Sequence, residues 1–336
     1  MPNVFIVLST YQGEAYLADL LASVRSQTFR NWTLLARDDD STDSTRIILA
    51  KEASADGRVE VLPEDNKRLG AFANFALLLH TAYDRGADVV FLADQDDLWH
   101  ADKLARLLDA MEDSSRQRTE GGRKEEPLYV DPCLAYCDAR VIDGRGKLLA
   151  ASFLKSTRLP YRVDQALPTL LGRSFVLGCA CAVNRALLDF ALPIPEQVAS
   201  HDWWLALCAA SVGEIVLVDA PLLDYRRHAG NHSATAFGSG LLFRPQVWRI
   251  RWRLGWQSFQ RSLQQAALLD ERLQQRGPNW PSARETLRTF LEAIKSSSTG
   301  LHRVTALYRL GLPRLDWRRK LMYWFCVTLK GLGIRD

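Results

Sequence analysis

Apolar and polar positions follow one another in blocks along the first third of the chain. Short, largely apolar runs at Val4 to Leu8, Trp32 to Ala36, Val59 to Leu62 and Val89 to Ala93 each end in a polar loop. Runs of this length without a period of two predict strands covered on both faces, as in a parallel sheet. Helical spacing fills the gaps. Tyr16, Leu17, Leu20, Leu21 and Val24 fall on one face, Ile47, Ile48 and Ala50 open a second helix, and Ala71 to Tyr83 reads as an apolar third. This alternation predicts an α/β fold, a doubly wound and mostly parallel sheet flanked by helices. The loops after the first, second and fourth strands then share the carboxyl edge of the sheet, where open α/β sheets bind ligands.

The pattern changes further on. Residues 112 to 127 carry almost nothing apolar and read as a solvated excursion. Strands are predicted at Cys133 to Cys137 and Ile215 to Val218, with helices at Leu167 to Leu171, Arg185 to Phe190 and Trp203 to Val212. Ser174 to Asn184 alternates large and small residues around Gly178, and Tyr225 to Ser233 reads as a polar segment after the last strand. After Gly240, Trp248, Trp252, Trp256, Phe259 and Leu263 recur three or four apart among many Arg and Gln, and 282 to 295 and 315 to 330 also read as helices. A boundary near residue 238 is expected, with an α/β domain over 1–238 and a helical, basic C-terminal region over 239–336.

Composition narrows the class. With 47% hydrophobic and 24% charged residues, the 336-residue chain can bury a sizeable core, which sets disorder aside. A net charge of +4 is too weak to argue nucleic-acid binding. The six cysteines, at 133, 137, 179, 181, 208 and 326, form no Cys-x-x-Cys pair and no zinc-type spacing. Free thiols in a reducing cytoplasm are expected, with no signal peptide at the start. The longest late apolar run, Leu321 to Leu329, falls short of the ~20 residues of a spanning helix.

The chemistry concentrates at residues 89 to 99, where an apolar run meets Asp94, Asp96 and Asp97. Three carboxylates at a strand end repel one another unless a cation lies between them. A divalent metal holding an anionic ligand is one reading; an acidic turn capping the helix that follows is the other. Familiar phosphate-binding patterns are missing: there is no Gly-x-Gly-x-x-Gly after the first strand and no Gly-Lys-Ser/Thr loop. The acidic turn Asp38 to Asp43 lacks the Gly and the twelfth ligand of a calcium hand.

Taken together, Val4 to Gly13, Gln27-Thr28-Phe29 to Asp43, Asn66 to Asn74, and Asp94-Gln95-Asp96-Asp97-Leu98-Trp99 resemble family 2 inverting glycosyltransferases of the GT-A fold. The resemblance is strongest to rhamnosyltransferase-like members of bacterial cell-surface polysaccharide pathways. It covers roughly residues 3 to 235, including Ser200-His201-Asp202-Trp203-Trp204 and Tyr225-Arg226-Arg227-His228. It implies a nucleotide-sugar half over about 1–100 and an acceptor half over about 130–238. Thr10 and Tyr11 would line the nucleotide pocket, Asp39 would bind the base, and Arg68 would border it. Asp94 and Asp96 match the Asp-x-Asp motif that contacts ribose and holds Mg²⁺ or Mn²⁺ on the diphosphate, with Asp97 a further metal candidate. His228 resembles a late His that approaches the metal or diphosphate, or is a surface-loop His. Asp202 matches the catalytic base, with His201 its rival and helix capping the plain alternative. Gly178, His201 and Trp203 would border the donor and acceptor pocket. The sequence departs from the family at Asp40, where Gly or Asn is more usual.

The implied partners are a nucleoside-diphosphate sugar and a glycan or lipid-linked acceptor, with no nucleic acid and with homo-oligomerisation left open. Arg314, Arg318, Arg319 and Lys320 before Leu321 to Phe325 suit the surface of an anionic membrane, or a helix packed on protein. Peripheral attachment to the inner face of a membrane is thus an expectation beside a cytoplasmic location. A sugar-1-phosphate nucleotidyltransferase is the rival enzyme, but it should carry a basic, Gly-rich first loop, and Ser9 to Glu14 has no basic residue. A non-catalytic binding module on the same fold is the other alternative.

Overall fold

The computed structural model describes residues 1–63, 67–119, 130–157, 166–228 and 245–295. The chain divides into two compact units: residues 1–157, 176–196 and 200–227 form one, and residues 158–175, 197–199 and 228–336 the other.

The first unit is built on a nine-stranded sheet. Its elements in chain order are β1 (Val4–Thr10), α1 (Leu17–Arg25), β2 (Trp32–Asp38), α2 (Thr45–Ala55), β3 (Val59–Val61), α3 (Ala71–Asp84), β4 (Val89–Asp94), β5 (Leu98–Trp99), α4 (Lys103–Thr119), β6 (Cys133–Asp143), β7 (Leu148–Ala150), α5 (Phe153–Thr157), a 3₁₀ turn at Gly178–Ala180, β8 (Cys181–Asn184), α7 (Arg185–Ala191), α8 (His201–Val212) and β9 (Glu214–Arg227). Strand order is β3-β2-β1-β4-β8-β6-β9-β5, with β7 beside β6. The long ladders are parallel: β1 with β2 and β4, and β6 with β9. The antiparallel ladders of β8, β7 and β5 are two or three residues long. The sheet is therefore mixed but mostly parallel, in a fold of the α/β class.

Both faces are covered, so the strands carry continuous apolar runs. Ile6, Leu8, Leu34, Ala36, Phe91 and Ala93 are buried together with Leu17, Leu20, Leu21 and Val24 of α1 and Leu104, Leu107, Leu108 and Met111 of α4. Register places the site. Ser9 pairs with Asp94 and Thr10 with Asp38, which aligns the carboxyl ends of β1, β2 and β4. Leu98 and Trp99 then pair with Asp224 and Leu223, which lays the end of β9 beside the acidic turn.

Three predicted bounds change. First, β1 and β2 run on to Thr10 and Asp38, because these polar side chains satisfy each other: the Thr10 hydroxyl donates to Asp38 Oδ1 over 2.9 Å. Second, the supposed excursion from 112 is helical as far as Thr119. Its polar residues are sound helix formers, helped by an Arg116–Glu112 pair at 3.1 Å and a Ser114 hydroxyl bond to Glu214. Third, β9 continues through Tyr225, Arg226 and Arg227, because β6 pairs with it along almost its whole length. The five cysteines of the described residues are free and buried.

The second unit holds α6 (Ala166–Gly172), α9 (Pro245–Arg276) and α10 (Pro281–Lys295). Phe259, Ala266, Leu269 and Leu273 of α9 are buried, as are Leu287 and Phe290 of α10 and Leu170 and Leu171 of α6. The side chains of Trp248, Trp252 and Trp256, the helix expected at 315–330 and the basic-aromatic segment at 314–325 lie outside the described residues. No described helix is long and apolar enough to cross a membrane.

Candidate active site

The ends of β1 and β2 form one wall. Thr10 is fully buried, and Asp38 also accepts from the Ser41 hydroxyl at 2.6 Å and from Arg46 Nε at 3.1 Å. Asp39, 2% exposed, spans to the loop before α3: its two oxygens accept from the Leu69 and Gly70 amides at 2.7 and 2.8 Å, and Arg37 sits 3.1 Å away. Asp40 takes the left-handed conformation, with φ 67°. That geometry accounts for Gly or Asn being more usual there, and Asp tolerates it better than most residues. Arg46 pairs with its carboxylate at 2.8 Å. Beside this wall the Arg68 guanidinium lies over the Tyr11 ring, 3.9 Å from its centroid.

The acidic turn follows β4. Asp94 keeps part of its surface open to solvent, and its neighbours crowd it on the other sides. Burial pushes its carboxyl up to about 7, with the charges of Asp96 and Asp202 adding to the effect. Asp97 is fully buried. Its Oδ1 accepts from the Arg226 amide at 3.0 Å, while Oδ2 meets no nitrogen or oxygen donor and has the Cys179 thiol as its polar neighbour. Burial, then the Asp94 and Asp96 charges, push it well above the usual carboxylate range. Ligand atoms of Asp94, Asp97 and Cys179 lie within 4.8 Å of one another. Burial and both carboxylates hold the Cys179 thiol protonated. Asp96 is half-buried, and its backbone carbonyl accepts from Arg226 Nε at 2.9 Å.

The opposite wall is the 3₁₀ turn and the start of α8. A Cβ built on Gly178 would stand 3.3 Å from His201 Nε2 and 3.4 Å from Asp202 Cβ, so Gly178 lies directly against both. Asp202 Oδ1 accepts from the Trp203 amide at 2.8 Å. His201 stacks on Phe75 with centroids 4.2 Å apart. Burial lowers the His201 pKa and Asp202 opposes the shift, which favours a neutral ring. The structure thus brings Asp94, Asp97, Gly178, His201 and Asp202 together, with Thr10, Tyr11, Asp39 and Arg68 at the adjoining strand ends. Trp203 is buried, and His228 is half-buried immediately after β9, in the segment that belongs to the second unit.

Comparison with known proteins fits this arrangement. The model for glycosyl transferase family 2 matches residues 5–122. TuaG of Bacillus subtilis, a glycosyltransferase named for teichuronic acid biosynthesis, is 35% identical over 219 residues, covering 60% of this chain and 83% of TuaG. The chain belongs to glycosyltransferase family 2. Another relative is the dTDP-rhamnosyl transferase RfbG of Shigella flexneri, 25% identical over 252 residues, covering 72% of this chain and 78% of RfbG. Among solved structures, the mannosyltransferase PcManGT from Pyrobaculum calidifontis, in complex with GDP-Man and Mn²⁺, superposes with a TM-score of 0.55 at 16% identity. That match covers all of this chain and 88% of PcManGT, and it bears on the fold.

Within this family 2 glycosyltransferase, several further residues shape the site. Gln95 and Arg226 lie inside the motifs that carry the resemblance, without a role predicted for holding the turns, and Phe75, Cys179 and Lys103 have no marking in the sequence. Gln95 both accepts from the Tyr11 amide at 2.9 Å and donates to its carbonyl at 2.8 Å, tying the turn after β1 to the turn after β4. Gly13 gave the available hint, since a Cβ there would stand 2.3 Å from Gln95 Oε1. Phe75, Cys179 and Lys103 reach the site from elements whose local patterns read as ordinary helix or strand. Arg226 is 4% exposed and holds the acidic turn through its amide and its side chain.

Proposed function

We propose that this glycosyltransferase is metal-dependent and inverting, and that it moves rhamnose from dTDP-rhamnose to a growing cell-surface polysaccharide or lipid-linked glycan. One observation carries the metal reading: Asp97 Oδ2 is buried beside Asp94 with no nitrogen or oxygen donor and only the weakly donating Cys179 thiol near it. A lone buried carboxylate oxygen is costly unless a cation or donor meets it. Hard oxygen donors suit Mg²⁺ or Mn²⁺, and the fit is good: Asp94 and Asp97 would hold the ion, and the protonated Cys179 thiol would stand aside. Bound there, the ion supplies Lewis-acid charge to the leaving diphosphate. The Mn²⁺ and GDP-Man in PcManGT support both this and a nucleotide-sugar donor. The likeness to RfbG, a dTDP-rhamnosyl transferase, supports dTDP-rhamnose as that donor.

The chain's own groups do the rest. Tyr11 and Arg68 line the nucleotide end; Thr10, expected there, is fully buried with its hydroxyl committed to Asp38, so it supports the wall from behind. Asp39 serves the base, and it does so with Leu69 and Gly70 already on its oxygens, so the base is read at the remaining lone pairs or as that loop adjusts. Inversion is a single displacement, so the acceptor hydroxyl loses its proton to a group opposite the leaving diphosphate. Asp202 is that base: it lies near enough to Asp94 for its charge to raise that carboxyl, and it packs directly against Gly178.

Two measurements test this. A thermal-shift screen of nucleoside diphosphates and nucleotide sugars with and without Mn²⁺ should give a metal-dependent rise, largest for dTDP compounds. Asp202→Asn should keep that rise and lose turnover by about a thousandfold or more. Normal turnover in this variant removes Asp202 from the role, and a screen without any metal-dependent shift removes the metal.

A further inference from the structure

Beneath the acidic turn, on the side away from solvent, lies a cation. Lys103, the first residue of α4, has no exposed surface. Its ammonium donates to the Cys179 carbonyl at 2.6 Å and sits over the Trp99 ring, 3.3 Å from its centroid. Burial lowers its pKa, and the nearby Cys137, Cys179 and Asp97 pull it back up. A lysine at the start of a helix ordinarily extends into water, and a buried ammonium needs an acidic field to remain there. Here the groups that supply that field are Asp97 and Asp94 once a bound cation holds them ionised. Cys179 stands between: its carbonyl accepts the Lys103 hydrogen bond, and its thiol faces the carboxylates. Cys179 is also the middle residue of the turn that begins at Gly178, against His201 and Asp202.

We propose that Lys103 is a positioning residue with two effects on this site: it fixes the 178–180 turn, and it acts as a built-in counter-charge that weakens the hold of the acidic turn on its divalent cation. The inference rests on the metal reading of Asp94 and Asp97. The counter-charge leaves the turn less negative than three carboxylates would make it. The cation is then held less tightly, and with it bound the site is closer to neutral than the carboxylates alone would leave it, which lessens repulsion of an incoming diphosphate. The hydrogen bond to Cys179 separates the two effects. Lys103→Gln removes the charge and keeps a donor for the carbonyl; Lys103→Met removes both.

The experiment is Mn²⁺ binding alone, by electron paramagnetic resonance of free Mn²⁺, on the full chain of the native protein and of both variants. Thermal unfolding with and without Mn²⁺ runs in parallel. Lys103→Gln should bind Mn²⁺ more tightly, on the order of tenfold. Its Mn²⁺-induced rise in melting temperature should exceed that of the native protein. Lys103→Met should show the same sign with a larger loss of metal-free stability. A lysine that only packs the interior predicts the opposite pattern, lower stability with Mn²⁺ affinity unchanged or weaker in both variants, and that result overturns the proposal. Absence of Mn²⁺ binding in the native protein overturns the metal reading itself, and this inference with it. If Lys103→Met does not fold, the Lys103→Gln measurement decides alone.

Discussion

The acidic turn should make the metal-free protein less stable as pH rises, and Asp94→Asn isolates that effect. Burial and the Asp96 and Asp202 charges raise Asp94 from its ordinary 3.8 to about 7, so the folded chain holds this proton more tightly than the unfolded chain does. The corresponding stabilisation is fully present below about pH 4 and is lost as pH climbs to 7 and beyond. The gap between the two values corresponds to about 4 kcal/mol as a ceiling. Asn keeps the shape and carries no charge, so the variant lacks this penalty at every pH. In urea titrations with EDTA, the native protein should lose a few kcal/mol relative to Asp94→Asn between about pH 5 and about pH 8, ending as the less stable of the two. Adding Mn²⁺ at about pH 8 should restore the native protein and leave the variant unchanged. A variant less stable than the native protein at that pH without metal, or a pH profile parallel to it, would refute the electrostatic account of the turn.

Two glycine positions give sharper geometric tests. Gly178→Ala places a methyl 3.3 Å from His201 Nε2 and 3.4 Å from Asp202 Cβ, so these neighbours must yield by a few tenths of an ångström. Stability should change by about 1 kcal/mol or less while turnover falls by at least about tenfold, read by comparing unfolding midpoints with initial rates. Gly13→Ala must displace Gln95, whose oxygen would lie 2.3 Å from the new methyl, and so breaks both of its bonds to Tyr11. A loss of about 1–2 kcal/mol is expected in urea unfolding; an unchanged midpoint would mean that the Gln95 bridge contributes nothing.

How much of this was legible in the sequence follows from where each residue finds its partner. β1, β2 and β4 are covered on both faces, so their apolar runs announce them. β9 was half hidden because its polar residues are paired within the fold: Asp224 with Arg140 and His100, and Arg226 with the acidic turn. No local period reports such a strand. Lys103 is the extreme case. As the first residue of a helix it reads as solvent-facing, and its burial depends on a carbonyl 76 positions away. The chemical landmarks, Asp94 to Asp97 and Asp202, stood out because clustered charge beside apolar sequence is conspicuous wherever it lies.

The acidic turn shows why spacing and geometry differ. In the sequence, Asp94 and Asp96 form the recognisable pair. Around the turn, Asp97 is the residue that enters the interior, with Oδ1 held by the Arg226 amide and Oδ2 left beside Asp94. Asp96 stays half-buried, and the group it offers Arg226 is its carbonyl. β5 causes the difference: pairing Leu98 and Trp99 with β9 turns the chain inward after Asp96, so the next carboxylate cannot remain at the surface. Asp97 therefore supports the role of second metal ligand better than Asp96. The half-buried Asp96 acts on the turn through its charge, which raises Asp94.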